Sequence, residues 1–190
     1  MYIGVFCASA DQIHEAYFKD AAELGKGMAK RGWNLVYGGT NCGLMRETAE
    51  AVLEYGGKVV GVIPECIQDK GVAARGITEL VTVPDMKERK QSMRERSDAF
   101  IALPGGWGTL EEITEVITLK QLGNHSKPIV FVNTNGYYDK FFEFIRACRE
   151  EGFISKAYDE LYVVVNRVED VFIYLENYKE KCSVDKYVLN

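Results

Sequence analysis

AFIALPGGWGTLEEITEVITLKQL, residues 99–122, carries a strand, a turn and a helix in immediate succession. Ala99 to Leu103 is an unbroken apolar run, the pattern of a strand covered on both faces. Pro104 and three glycines interrupt it, and from Thr109 to Leu122 apolar residues recur at helical spacing. A buried strand that passes through glycine straight into a helix is the repeating unit of a parallel sheet.

The unit recurs in both directions along the chain. Upstream, strands are expected at Tyr2–Ala8, Trp33–Tyr37, Lys58–Ile63 and Leu80–Val83, with helices at Ile13–Lys30, Leu44–Tyr55 and from Pro84-Asp85 to Ser97. Downstream come strand Ile129–Asn133, helix Tyr138–Glu151, strand Leu161–Val165 and helix Val168–Tyr178. Glu65–Gly76 has mixed polarity and no period, and reads as a loop. Alternation with short connections implies a doubly wound α/β fold, its mostly parallel sheet covered by helices on both faces. Residues 1–180 read as one domain and residues 181–190 as a polar tail. Ligands of such sheets bind at the carboxyl ends of the strands. Ser9, Gly38-Gly39 and Gly105-Gly106 all follow strands, so three strand ends are expected to meet at one edge.

Composition narrows the function classes. A net charge of −5 argues against nucleic acid or an anionic membrane as the main partner, while leaving room for a small phosphorylated ligand held by local groups. No apolar run is long enough to span a bilayer, and MYIGVFCASA lacks the basic flank of a signal peptide. The five scattered cysteines, with no CxxC pair, read as reduced thiols of a cytoplasmic protein and offer no metal spacing. Cys7 and Cys148 fall in apolar segments and are expected to pack in the core. His14 and His125 are expected to be solvated, and no nucleophile–histidine arrangement emerges.

The glycines of Gly105-Gly106-Trp107-Gly108-Thr109 would let an anion reach backbone amides at the start of a helix, where the dipole end is positive. They also serve simply as a tight turn. Thr109 can cap the helix or donate its hydroxyl to a ligand. Acids such as Glu111 are ordinary in a first turn. Glu112 differs, because Val116 and Leu119 follow at i+4 and i+7 and place it on the apolar row. A carboxylate facing inward beside an anion loop points to chemistry. In DMKERKQSMRERSD, Met86 and Met93 mark an inward stripe that Arg89 and Lys90 flank. A buried arginine seeks a carboxylate or phosphate; at a core edge it can instead extend its head to water. Gly38 to Met45 is a second glycine-rich turn, suited either to an anion or to a tight connection.

YGGTNCGLM, DMKERK and LPGGWGTLEE, in that order and spacing, closely resemble the LOG (Lonely Guy) proteins, cytokinin riboside 5′-monophosphate phosphoribohydrolases. The resemblance implies a Rossmann-like domain, a homodimer or larger homo-oligomer, and hydrolysis of adenine (cytokinin-type) nucleoside 5′-monophosphates to free base and ribose 5-phosphate, without a cofactor or metal. Arg89 and Glu112 would be catalytic. Gly105, Gly106, Gly108 and Thr109 would take the phosphate, with Lys90, Glu111 and Thr118 also contacting substrate; Ser9 and Gly39 join them as strand-end residues. The chain departs from the family pattern at Arg46, where GLMG is common, and near Gly71, where bacterial relatives often carry glutamate. A carrier of the same fold that binds a nucleotide without cleaving it is the alternative reading.

Overall fold

The structure is a computed structural model and describes residues 1–180; the expected tail, residues 181–190, lies outside the described residues. Seven strands form one sheet: β1 (Tyr2–Phe6), β2 (Asn34–Tyr37), β3 (Val59–Pro64), β4 (Glu79–Val83), β5 (Ala99–Ala102), β6 (Ile129–Val132) and β7 (Val163–Val165). Their spatial order is β4-β3-β2-β1-β5-β6-β7 and every pairing is parallel. The chain winds outward from β1 to β4, returns to β5 beside β1, and winds outward again. The switch point lies between β1 and β5, where the loops leave in opposite directions and open a crevice.

Strand residues are buried on both faces. Ile3, Val5, Leu35 and Ile101 point to a core shared with α1 (Glu15–Lys30), α2 (Gly43–Glu54) and α7 (Val168–Glu176). Phe6, Val36, Phe100 and Ala102 point to a second core, with Met93 of α4 (Met86–Arg96) and with Ile113 and Val116 of α5 (Trp107–Gln121). Phe131 packs there against Tyr138, Phe141 and Phe142, at and within α6 (Asp139–Glu150). The doubly wound, parallel reading therefore stands. Cys7 is buried as expected, and Cys148 is half-buried on α6. Among the described residues no helix is long and apolar enough to cross a membrane.

Three local features differ from the sequence reading. The expected loop 65–76 opens with a single helical turn, α3 (Glu65–Gln68), behind Pro64, and an antiparallel bridge joins Thr40 to Ala73. One turn is too short to leave a hydrophobic period, and a bridge of single residues leaves none. Second, α5 begins at Trp107, two residues before Thr109, with Gly106 at its N-cap. Glycine's poor helix propensity disguises residues that need only complete the first turn. Trp107 is left 89% exposed there.

The third difference is His125, which is partly buried rather than solvated. Its Nε2 donates to the Val116 carbonyl (2.9 Å) and its Nδ1 accepts from the Lys127 backbone N–H (3.2 Å), so both nitrogens are engaged in the neutral ring. Burial pushes its pKa down; the bond to Val116 opposes this, and the cations Lys120, Lys127 and Arg94 add to it. Folding thus favours the unprotonated form. That stability is present above the unfolded pKa of about 6.5 and is lost as pH falls below it. Urea midpoints are expected to drop between pH 7.5 and pH 5, and His125→Gln to shrink the drop; an unchanged pH slope in the variant would contradict this.

Candidate active site

The crevice over β1, β2 and β5 holds a cavity of about 450 Å³. Backbone bonds beyond the strands shape it: Leu103 N–H donates to the Phe6 carbonyl (3.0 Å) and Ala8 N–H to the Pro104 carbonyl (3.1 Å). The chain after β1 is thereby drawn alongside Pro104-Gly105. A Cβ on Gly105 would lie 2.1 Å from Thr109 Oγ1 and 3.0 Å from the Ala8 nitrogen, so this close approach requires glycine. Tyr137 Oη donates to the Gly105 carbonyl (2.8 Å) and steadies the turn from behind.

On the cavity wall Arg89 and Glu112 face each other, Nη1 to Oε1 at 2.5 Å, with only 8% and 7% of their surfaces exposed. Arg89 Nε donates to the Val62 carbonyl (3.1 Å) within β3, which fixes the guanidinium between α4 and the sheet. Its Nη2 occupies space that a side chain on residue 38 would need: a Gly38 Cβ would lie 1.9 Å away. Burial pushes the Glu112 carboxyl above the usual carboxylate range, and the Arg89 charge and hydrogen bond pull against that shift. Cys7, beside them, is a neutral thiol, pushed up by burial first and by the Glu112 charge second. Of the expected stripe on α4, Met93 is buried, whereas Met86 stands 42% exposed at the first turn and lines the cavity.

Below this pair, α4 and α5 are joined by a ladder of charges. Lys90 pairs with Glu111 and with Glu115 (3.1 Å), and Arg94 with Glu115 (3.0 Å). Lys90 and Glu111 therefore meet each other, outside the residues that line the cavity. Thr118 lies further along α5, its hydroxyl donating to the Thr114 carbonyl (2.8 Å). Ser9, Gly108, Thr109, Arg89 and Glu112 all line the cavity. Gly106 caps α5, and Gly39 turns the chain in a left-handed conformation (φ +74°), its carbonyl accepting from Ala74 N–H (2.8 Å).

The two glycine-rich turns differ in what remains open. At the start of α2, Asp11 Oδ1 accepts from the Gly43 N–H (3.1 Å) and from Arg46 Nη2 (2.9 Å). That helix end is already satisfied by the chain's own carboxylate, and Arg46 is spent on it. At the start of α5 no side chain among the described residues caps the helix, while Thr109 is buried and is not the cap. The first-turn amides of α5 are the ones left for an external anion.

Thr40 and Cys42 of the second glycine-rich turn line the cavity too, and so do Pro64, Ile67, Lys70 and Val72, which were not expected there. Most belong to the segment behind Pro64, whose irregular sequence carries no positional signal. Gly71 has φ +75° and open space where a Cβ would be, at the close of the α3 turn. A left-handed position favours glycine and gives a backbone reason for this departure from the family pattern.

A family model described as "Possible lysine decarboxylase" matches residues 45–175. Cytokinin riboside 5′-monophosphate phosphoribohydrolase LOG5 of Arabidopsis thaliana is 42% identical over 92% of this chain and 77% of its own length. The enzyme of the same name, LOG, of Oryza sativa subsp. japonica is 43% identical over 96% of this chain and 75% of its own length. Among solved structures, the Moco carrier protein from Chlamydomonas reinhardtii superposes with a TM-score of 0.69 at 25% identity, covering 92% of this chain and 94% of that one. The molybdenum cofactor binding protein from Rippkaea orientalis gives a TM-score of 0.71 at 19% identity, over the same shares of the two chains, a likeness of fold alone.

Proposed function

The chain belongs to the LOG family of cytokinin riboside 5′-monophosphate phosphoribohydrolases, and from that premise we propose that it cleaves the N-glycosidic bond of adenine-type nucleoside 5′-monophosphates, releasing base and ribose 5-phosphate. The observation that carries the reading is the buried Arg89–Glu112 pair on a cavity wall beside the uncapped start of α5. The 5′-phosphate sits at the α5 amides and Thr109, which sets C1′ near Glu112.

Departure of the purine with the bonding electrons of N9 leaves positive charge on the ribose. The Glu112 carboxylate stabilises that charge and takes one proton of the water whose oxygen bonds to C1′; the departing purine gains a proton from solvent, and Glu112 later returns its own there. Burial makes this carboxylate a stronger base than an exposed glutamate, and Arg89 keeps it ionised and aimed. The binding energy of the phosphate is used for alignment at C1′. A pyridoxal-dependent decarboxylase would hold a desolvated lysine for its Schiff base; among the described residues the one lysine lining the cavity, Lys70, is exposed. The family also supports a cytoplasmic homodimer or larger homo-oligomer, to be measured by light scattering.

The test is incubation with AMP and with isopentenyladenosine monophosphate, with products resolved by chromatography. Free base and ribose 5-phosphate are expected; inorganic phosphate in place of ribose 5-phosphate would make the protein a phosphatase. The likeness to the Moco carrier favours one other reading, a carrier that binds without cleaving. Intact nucleotide in both reactions, with measurable binding, would select it.

A further inference from the structure

Charge balance in the cavity singles out a residue that the catalytic pair does not use. Among the described residues, three charged ones line it: Arg89, Glu112 and Lys70. The first two neutralise each other. A nucleoside monophosphate brings a phosphate that is close to doubly charged at neutral pH, since its second pKa is about 6. The start of α5 offers only about half a positive charge. An anion bound in a partly enclosed cavity on that half charge alone would be left undercompensated.

Lys70 supplies what is missing. No carboxylate among the described residues pairs with its amine, unlike Lys90, Arg94 and Arg46, each of which is engaged. Its backbone is nevertheless held on both sides. Lys70 N–H closes the α3 turn on the Ile67 carbonyl (3.1 Å), and two residues later the Val72 carbonyl accepts from Asn41 N–H (2.8 Å). Gln68 is tied to β4 through the Thr82 hydroxyl (2.7 Å). The segment thus sets Lys70 in the cavity lining from an anchored turn, on a wall built by β3 and α3 rather than by α5.

We propose that Lys70 is the cationic clamp for the 5′-phosphate, completing with the α5 amides and Thr109 a site that distinguishes nucleotides from nucleosides. This rests on the hydrolase reading for the identity of the substrate, but not for the existence of the phosphate site. Lys70 touches the substrate at a distance from C1′, so its contribution is to binding and selection.

The experiment is calorimetric titration of ribose 5-phosphate and of ribose into the wild type, Lys70→Met and Lys70→Arg, alongside steady-state kinetics on AMP and adenosine. Lys70→Met is expected to weaken ribose 5-phosphate binding and raise KM for AMP roughly 10- to 100-fold, the effect of removing one hydrogen bond to a charged group. Its activity on adenosine should stay within about threefold of wild type, and Lys70→Arg should recover most of the binding. Because residue 70 is exposed, unfolding midpoints should not move. Ribose 5-phosphate affinity in Lys70→Met within about threefold of wild type would overturn the clamp, as would equal losses on AMP and adenosine. A wild type that cleaves nothing, yet loses ribose 5-phosphate affinity on this substitution, would remove the hydrolase reading and leave the clamp standing.

Discussion

Glu112→Gln is expected to reduce turnover of AMP by about 10²–10⁴-fold while leaving the fold and substrate affinity close to wild type. The amide keeps an oxygen for Arg89 Nη1, so the buried guanidinium retains an acceptor and the geometry persists. On the proposed mechanism, what is lost is the negative charge that faces the ribose and the site that receives the proton of water. A pH profile supplies a second reading. Because burial holds the Glu112 pKa above that of a free glutamate, the acid limb of kcat/KM should lie above pH 4.3 or so, and activity should be lost as pH falls through it. Removing the opposing cation with Arg89→Met should move that limb higher still. The same raised pKa stabilises the folded state at low pH and gives up that contribution as pH rises through the folded value. Glu112→Gln with more than about a tenth of wild-type turnover, in a protein shown to be folded, would remove Glu112 from the mechanism.

Gly38→Ala is the second large effect, in a residue that performs no chemistry. Its Cβ would lie 1.9 Å from Arg89 Nη2 and 2.3 Å from Met45 Cε, both at the free ends of flexible side chains. Gly38 is not among the residues with positive φ, so alanine takes this backbone without strain. The side chains yield rather than the strand, and the guanidinium is displaced from Glu112. A misplacement of about 1 Å at a reacting group can cost about 10²-fold, and kcat/KM should fall by that order. A double-mutant cycle gives the decisive reading: on an Arg89→Met background, Gly38→Ala should cost little more. An equal loss on both backgrounds would mean that Gly38 acts through something other than Arg89.

The parallel sheet was legible because strands buried on both faces leave unbroken apolar runs, as in Ala99–Leu103, and because strand and helix alternate with short connections. Helical arithmetic placed Glu112 on an inward row with Val116, and set Arg89 on the flank of the Met93 stripe; the structure brings the two into contact. Spacing could not show that Asp11 reaches back to fill the start of α2, since that contact depends on how the loop after β1 folds across a neighbouring connection. Nor could it place Met86, which opens α4 at the cavity rim instead of packing beneath it. Lys90 and Glu111 sit one residue from the catalytic candidates but a different helical face carries them, and they meet each other instead. His125 looked solvated because polar neighbours in sequence say nothing of the carbonyl and amide that enclose its ring. Segment 65–76 stayed silent for a related reason: one helical turn and a bridge of single residues have no period to read.

The chain has two tryptophans, and they stand in opposite surroundings. Trp33 packs against Phe172, ring centroids 6.0 Å apart, whereas Trp107 projects into solvent from the first turn of α5. The lip of the crevice therefore carries a built-in optical reporter. Trp107 should supply the long-wavelength emission and be quenched by acrylamide, while Trp33 stays shielded. A phosphate arriving beside Gly106 and Gly108 would alter that quenching without any label, so occupancy can be followed in real time and separately from bond cleavage.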